Sequence, residues 1–280
     1  MIAGRLYRRQ KRALSNPIEL VPILMPIPPW FFFIFLLILG LVLGSFYNVC
    51  IYRLPRDESI AWPGSRCPHC RHSLSIMDNL PLVSFLLLKG SCRYCHAPIS
   101  YQYPLVEGVT GLATVLVGWK FGLSWIFFQA LVLFGALLVI SFIDLSHQII
   151  PDGITYPGIG IGLFFSWLTG SPGLWSSLIG VLLGGGLLWL LAFGYRWLAK
   201  KEGMGGGDIK LLAMIGAFLG WPGVLVTLLF GSFLGTLVGL GLILIWKKDR
   251  TYAVPFGPFL SLGAFIHLFF GTALLNWYLG

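Results

Sequence analysis

From residue 30 onward the chain alternates long apolar runs with short breaks marked by Gly, Pro or charge. The runs cover 30–50, 103–119, 124–143, 154–169, 174–198, 209–220, 224–246 and 256–279. Most approach the roughly 20 residues that an α-helix needs to cross a bilayer. The run at 209–220 is shorter and ends at Gly220-Trp221-Pro222-Gly223, which reads as a turn. The pattern predicts an all-α polytopic membrane bundle of about eight transmembrane helices. No repeat is evident along the chain. Trp125, Trp175, Trp221 and Trp277 stand at run ends, where aromatic rings anchor in the membrane interface.

Composition agrees with this reading. The chain is 57% hydrophobic and 10% charged, with a mean hydropathy of +0.85, which excludes an ordinary soluble domain. The net charge of +9 points to cytoplasmic loops and anionic lipid rather than to nucleic acid. Residues 1–29 form a basic, Pro-rich arm carrying Arg5, Arg8, Arg9, Lys11 and Arg12, expected to lie on a surface or to be disordered. The first helix is expected over 30–51, a polar insertion over 52–103, and the remaining helices over 104–280.

The insertion carries Cys67-Pro68-His69-Cys70 and Cys92-Arg93-Tyr94-Cys95, separated by 21 residues. Two Cys-x-x-Cys pairs at this distance suit a tetrahedral Zn²⁺ held by four thiolates. A redox role needs only one pair, and no thioredoxin-like βαβ pattern surrounds either. The metal would hold together a segment too small for a core of its own. His69, His72 and His96 are expected at the surface, since four cysteines already fill the tetrahedron. The fifth cysteine, Cys50, reads as a small apolar filler.

Two carboxylates stand at helix ends. Asp144 closes the run at 124–143, and Asp208 opens the run at 209–220 directly after Gly205-Gly206-Gly207. An ionisable group inside a membrane is costly and points to function. The glycines are expected to turn the chain sharply and to admit another backbone. Two close carboxylates can share one proton, so that one activates water while the other polarises a carbonyl. Helix-end position alone gives Asp208 the charge and Asp144 the proton. Asp152 reads as part of the Pro151-Asp152-Gly153 turn. Ser45 and Asn48 read as helix-packing groups, and Glu107 as a first-turn carboxylate or one facing a polar cavity.

Loop charge sets the topology. With the insertion in the cytoplasm, the inside loops carry thirteen Lys and Arg, and the outside loops only Lys120. Asp144 and Asp208 then share the cytoplasmic face. The first helix puts the basic arm on the opposite face, against the same rule.

Phe142-Ile143-Asp144, Ile150-Pro151-Asp152, Gly205-Gly206-Gly207-Asp208-Ile209-Lys210, the stretch from Gly44 to Pro55 and the paired Cys motifs together resemble the bacterial type IV prepilin peptidases. These are membrane aspartyl proteases of the Gly-x-Gly-Asp type. The resemblance runs from about residue 30 to the end, and the arm is longer than the family's usual start. It implies eight helices in the inner membrane with a site facing the cytoplasm. It implies cleavage of the basic leader of a type IV prepilin or pseudopilin after Gly, in pilus or type II secretion assembly. It also implies N-methylation of the new terminus from S-adenosylmethionine. By motif match Asp144 and Asp208 are the catalytic pair, with Gly205, Gly207 and Lys210 supporting it. Asp57, Glu58 and Glu107 are candidate counter-charges for the leader. No Gly-x-Gly-x-x-Gly follows a strand, so the methyl-donor residues are unassigned and are sought in the insertion and adjoining helix ends. The rivals are an ion-coupled transporter using the same carboxylates and a zinc scaffold without chemistry. The first predicts carboxylates along a path through the bilayer, and the second leaves them without a role.

Overall fold

A computed structural model describes residues 28–200, 205–245 and 254–279. The expectation for the arm at 1–29 therefore falls almost wholly outside the described residues. Every regular element described is helical, apart from two isolated β-bridges. The chain forms two compact units, Met1–Leu131 and Val132–Gly280.

The first unit is built on α1 (Pro29–Arg53) and α3 (Gln102–Phe121), with the small α2 (Val83–Leu87) in the insertion between them. Pro28 is extended and Pro29 takes the first helical position, where its missing N–H costs nothing. At Gly44 the two long helices touch backbone to backbone, since a Cβ there would lie 2.7 Å from the Glu107 Cα. Small residues permit such close packing where apolar burial alone gives little drive. Thr110 and Thr114 are fully buried, and each hydroxyl donates to the carbonyl one turn back, at 2.7 and 2.8 Å. The outer face of α1 leaves Ile34, Ile38 and Val42 about half exposed, a stripe suited to lipid.

The second unit comprises most of α4 (Trp125–His147), then α5 (Asp152–Thr169), α6 (Leu174–Ala199), α7 (Gly206–Leu244) and α8 (Gly257–Leu279). The first half of α7 is its centre: every residue from Leu211 to Gly220 is buried. Leu211, Met214, Ile215 and Phe218 pack with Leu133, Leu137 and Ile140 of α4. A helix apolar on all sides belongs inside a bundle. The turn expected at Gly220 is a break within α7: Gly220 sits at φ 70°, ψ −177°, and Pro222 follows. The two runs read as 209–220 and 224–246 are the two halves of this broken helix.

Among the described residues, four helices are long and apolar enough to cross a membrane: Trp30–Arg56, Trp125–His147, Leu174–Leu198 and Gly206–Leu244. They mark a membrane protein.

Candidate functional site

The second unit brings Asp144 and Asp208 together. Asp144 lies in the last turn of α4, which stops where Gln148 takes a left-handed φ of 54°. Pro151 then runs extended into α5. Asp208 lies in the first turn of α7. Asp144 is buried, at 5% exposure, and Asp208 is partly buried within reach of its charge. Oδ2 of Asp144 accepts the backbone N–H of Gly257 at 2.9 Å. Helix-end reasoning omits that donor, so position at a helix end does not decide which carboxylate holds the proton.

Of the two roles expected of the glycines, close approach is the one that Gly207 fills. Gly205 is the residue before α7, at φ −69°, and Gly206 and Gly207 are already helical. None of the three takes a positive φ. What Gly207 provides is space: a Cβ there would lie 2.8 Å from the Ile150 Cβ. Gly205 stands beside Asp208, its Cβ position 3.9 Å from Oδ2. Lys210 pairs with Asp152 at 2.6 Å, so Asp152 joins the start of α5 to the start of α7.

The first unit gathers the four cysteines. The Sγ atoms of Cys67, Cys70, Cys92 and Cys95 all lie within 4.8 Å of one another, with Cys67 and Cys95 at 3.8 Å. A tetrahedron with Zn–S bonds of about 2.3 Å has edges of roughly 3.8 Å, so the cluster fits a zinc ion. The N–H of Cys95, helped by that of Tyr94, draws the Cys92 thiol down to about 7, toward the thiolate a metal requires. His69, His72 and His96 are exposed.

The two knuckles correct the expectation that no repeat exists. Cys67 N–H donates to His72 O, and Arg71 N–H to Cys67 O. The same pair recurs 25 residues on, as Cys92 N–H to Ala97 O and His96 N–H to Cys92 O. Arg71 and His96 share a left-handed φ, at 58° and 57°. Asp78 ties the knuckles together. It accepts from Ser75 Oγ at 2.7 Å beside the first, and from Arg93 Nε at 2.6 Å and Tyr94 Oη at 3.3 Å in the second.

Asp57 and Glu58 are exposed. Glu107 is buried, and its Oε2 accepts the N–H of Leu82 at 2.8 Å, so it fastens the insertion to α3 instead of facing solvent. Asn48 packs between helices as expected, donating to Tyr103 O at 3.1 Å. Cys50 is buried in α1. Sequence reasoning missed Gly257 and Asp78. The turn Pro255-Phe256-Gly257-Pro258 was the available signal for the first, and Ser75-x-x-Asp78, a capping-box spacing, for the second.

Comparison with known proteins bears on both units. The bacterial peptidase A24 N-terminal domain matches residues 38–121, which include the four cysteines. The type IV leader peptidase family matches residues 131–240, which include both aspartates. The chain is similar to prepilin leader peptidase/N-methyltransferases of several bacteria. That of Aeromonas hydrophila is 38% identical over 90% of this chain and 95% of the relative. That of Pseudomonas aeruginosa is 35% identical over 90% and 94%, and that of Neisseria gonorrhoeae 36% over 86% and 93%. No solved structure gives a significant match.

Proposed function

Since the chain belongs to the type IV leader peptidase family, we propose that it is a membrane aspartyl endopeptidase that removes the basic leader of type IV prepilins or pseudopilins after Gly. The observation that carries this reading is the approach of Asp144 and Asp208, from the end of α4 and the start of α7. In the proposed reaction one carboxylate, ionised, takes a proton from water. The other, protonated, donates to the scissile carbonyl oxygen. The substrate lies extended, because a helical backbone hides its carbonyls. Gly205, Gly207 and Lys210 support the pair, and Asp57 and Glu58 attract the basic leader. The site faces the cytoplasm in the inner membrane, on the loop-charge argument.

The relatives' second activity is part of the proposal: N-methylation of the new terminus. S-adenosylmethionine would supply the methyl group. The described residues of the first unit hold no strand–turn–helix cradle, so no residue is assigned to the donor and no step is derived through it. Zinc at the four cysteines would hold the insertion folded. A transporter is the weaker reading, because both carboxylates belong to one cluster instead of being spaced along a path.

The test is purified full-length protein in lipid nanodiscs, given S-adenosylmethionine and a peptide with a basic leader ending in Gly before an apolar helix. Mass spectrometry should show cleavage after Gly and one added methyl. Asp144→Asn and Asp208→Asn should each lower cleavage by about 10⁴-fold without preventing insertion. Wild-type cleavage by either variant would overturn the aspartyl mechanism.

A further inference from the structure

The insertion is polar except for one stretch. Residues 79–88 carry no charge, and Lys89 closes the run. An apolar run of about ten residues is too short to cross a bilayer and suits a core helix or a re-entrant segment. A core helix would hide its apolar side chains. Here Ile76, Met77, Leu80, Val83, Leu86 and Leu87 are exposed, Leu86 and Leu87 by 73% and 76%. Val83, Leu86 and Leu87 share one face of α2, at spacings of three and four. The nearest carboxylate in sequence, Asp78, is turned inward onto Arg93 and adds no charge to that face.

Three contacts fix where this stretch lies. Leu82 N–H donates to Glu107 Oε2 at 2.8 Å. The Phe85 ring lies 5.7 Å from that of Tyr101, next to the start of α3. Glu107 in turn lies against α1 at Gly44, nine residues before α1 ends at Arg53. Nine residues of helix rise about 14 Å. The span Trp30–Arg56, which holds most of α1, is long and apolar enough to cross a membrane. Val42 and Phe46, on either side of Gly44, are exposed apolar residues at that level. Leu82 is thus tied one side chain away from the membrane-spanning part of α1, and not beyond its end.

The backbone suits the same surroundings. Leu82 takes a φ of 58°, which a bulky residue adopts only where it is held. The N–H groups of Leu82, Ser84, Leu86, Leu88 and Lys89 all have acceptors. The Ser84 hydroxyl donates to Leu80 O at 2.8 Å. Hydrocarbon demands that polar groups be satisfied internally in this way. We propose that residues 79–88 form a re-entrant membrane segment whose partner is lipid. Acyl chains cover Val83, Leu86 and Leu87, and exposed Lys89 returns the chain to the phosphate layer. The cysteine knuckles, with Arg66 and Arg71, then lie in water along the same leaflet.

The test uses full-length protein in nanodiscs of phosphatidylethanolamine and phosphatidylglycerol. The photoreactive residue benzoylphenylalanine replaces Leu86 or Leu87, and His69 as control, an exposed residue of the first knuckle. Irradiation should give lipid acyl adducts at 86 and 87 and none at 69, read by mass spectrometry. Adducts with residues 132–280 would make the second unit the partner, and adducts with another copy would make the face an oligomer contact. Lipid adducts no more frequent at 86 and 87 than at 69 would leave the face in water. Each of these overturns the proposal. A second measurement avoids the label. Leu86→Glu with Leu87→Glu changes exposed side chains only, and two carboxylates in hydrocarbon should raise amide hydrogen exchange over residues 80–90 by about tenfold or more. Exchange as slow as in the wild type would show that these side chains never enter the bilayer.

Discussion

The backbone N–H of Gly257 donates to Oδ2 of Asp144 across 2.9 Å, joining residues 113 apart in the chain. The contact is buried, and it holds the carboxylate from the first turn of α8. A Cβ on residue 257 would lie 2.7 Å from that oxygen, so no residue larger than glycine fits without moving it. Gly257→Ala should therefore rotate Asp144 or push α8 away. A displacement of about 1 Å at a reacting group can cost on the order of 100-fold in rate. Single-turnover cleavage of a prepilin-like peptide should fall by about that factor, with membrane insertion and metal content unchanged. A wild-type rate would show that this donor does not hold the carboxylate for reaction.

The sulfur cluster makes a separate prediction, because it lies in the other unit. Cys67 and Cys92 are the buried members, and Cys70 and Cys95 the exposed ones. Cys67→Ser with Cys92→Ser should remove the metal found in the wild type and open residues 58–101 to limited proteolysis. Methylation should suffer more than cleavage, since the aspartates belong to the second unit. Elemental analysis decides the first point, and equal metal in the two proteins would sink it.

What the chain disclosed in advance follows from where each signal resides. Apolar runs and Cys spacing are written in side chains, so the helices and the four-sulfur cluster were legible. Asp144 and Asp208 were legible as costly residues at helix ends. Gly257 was not, because its contribution is a backbone N–H, which every residue except proline carries. Asp78 was missed because Arg93 and Tyr94 reach it only once the second knuckle has folded. The 25-residue repeat escaped because it lives in backbone hydrogen bonds, and few side chains besides the cysteines recur. The Gly205–Gly207 run was read both as a turn and as a place of close approach, since glycine signals either. Burial of Ile150 against Gly207 selects the second.

Acid should loosen the insertion through Asp78. The Ser75 hydroxyl, with Arg93, holds the Asp78 carboxyl below its ordinary value, so the folded form favours the ionised group. The stability it contributes is complete above the unfolded carboxylate value of about 3.9 and is lost as pH falls through the lower folded value. Asp78→Asn lacks this contribution at every pH. Protease protection of residues 58–101 should thus differ most between wild type and Asp78→Asn near neutrality, and the two should converge below about pH 4. Thiolates also release metal in acid, so the comparison is made between the two proteins at each pH. A difference that persists unchanged into strong acid would mean that Asp78 acts through shape and not charge.

Lys210 stands two residues beyond Asp208 and pairs with Asp152 at 2.6 Å, with the side chains 30% and 56% exposed. It also lies 5.4 Å from the centre of the Tyr156 ring. Both contacts fasten the start of α5 to the start of α7, the helix that delivers Asp208. An exposed ion pair is worth only about 0–1 kcal/mol, so its loss should shift the Asp208 turn without dismantling it. Asp152→Asn should lower cleavage by about fivefold or less, set against the near-complete loss in Asp208→Asn. Lys210→Met removes the charge yet keeps an apolar stem over the Tyr156 ring. If the two residues act through one another, the double variant should be no slower than the worse single variant. Fully additive losses would mean that each meets a different partner. Cleavage abolished in Asp152→Asn as thoroughly as in Asp208→Asn would put Asp152 among the reacting carboxylates, and the assignment of the pair to Asp144 and Asp208 would have to be given up.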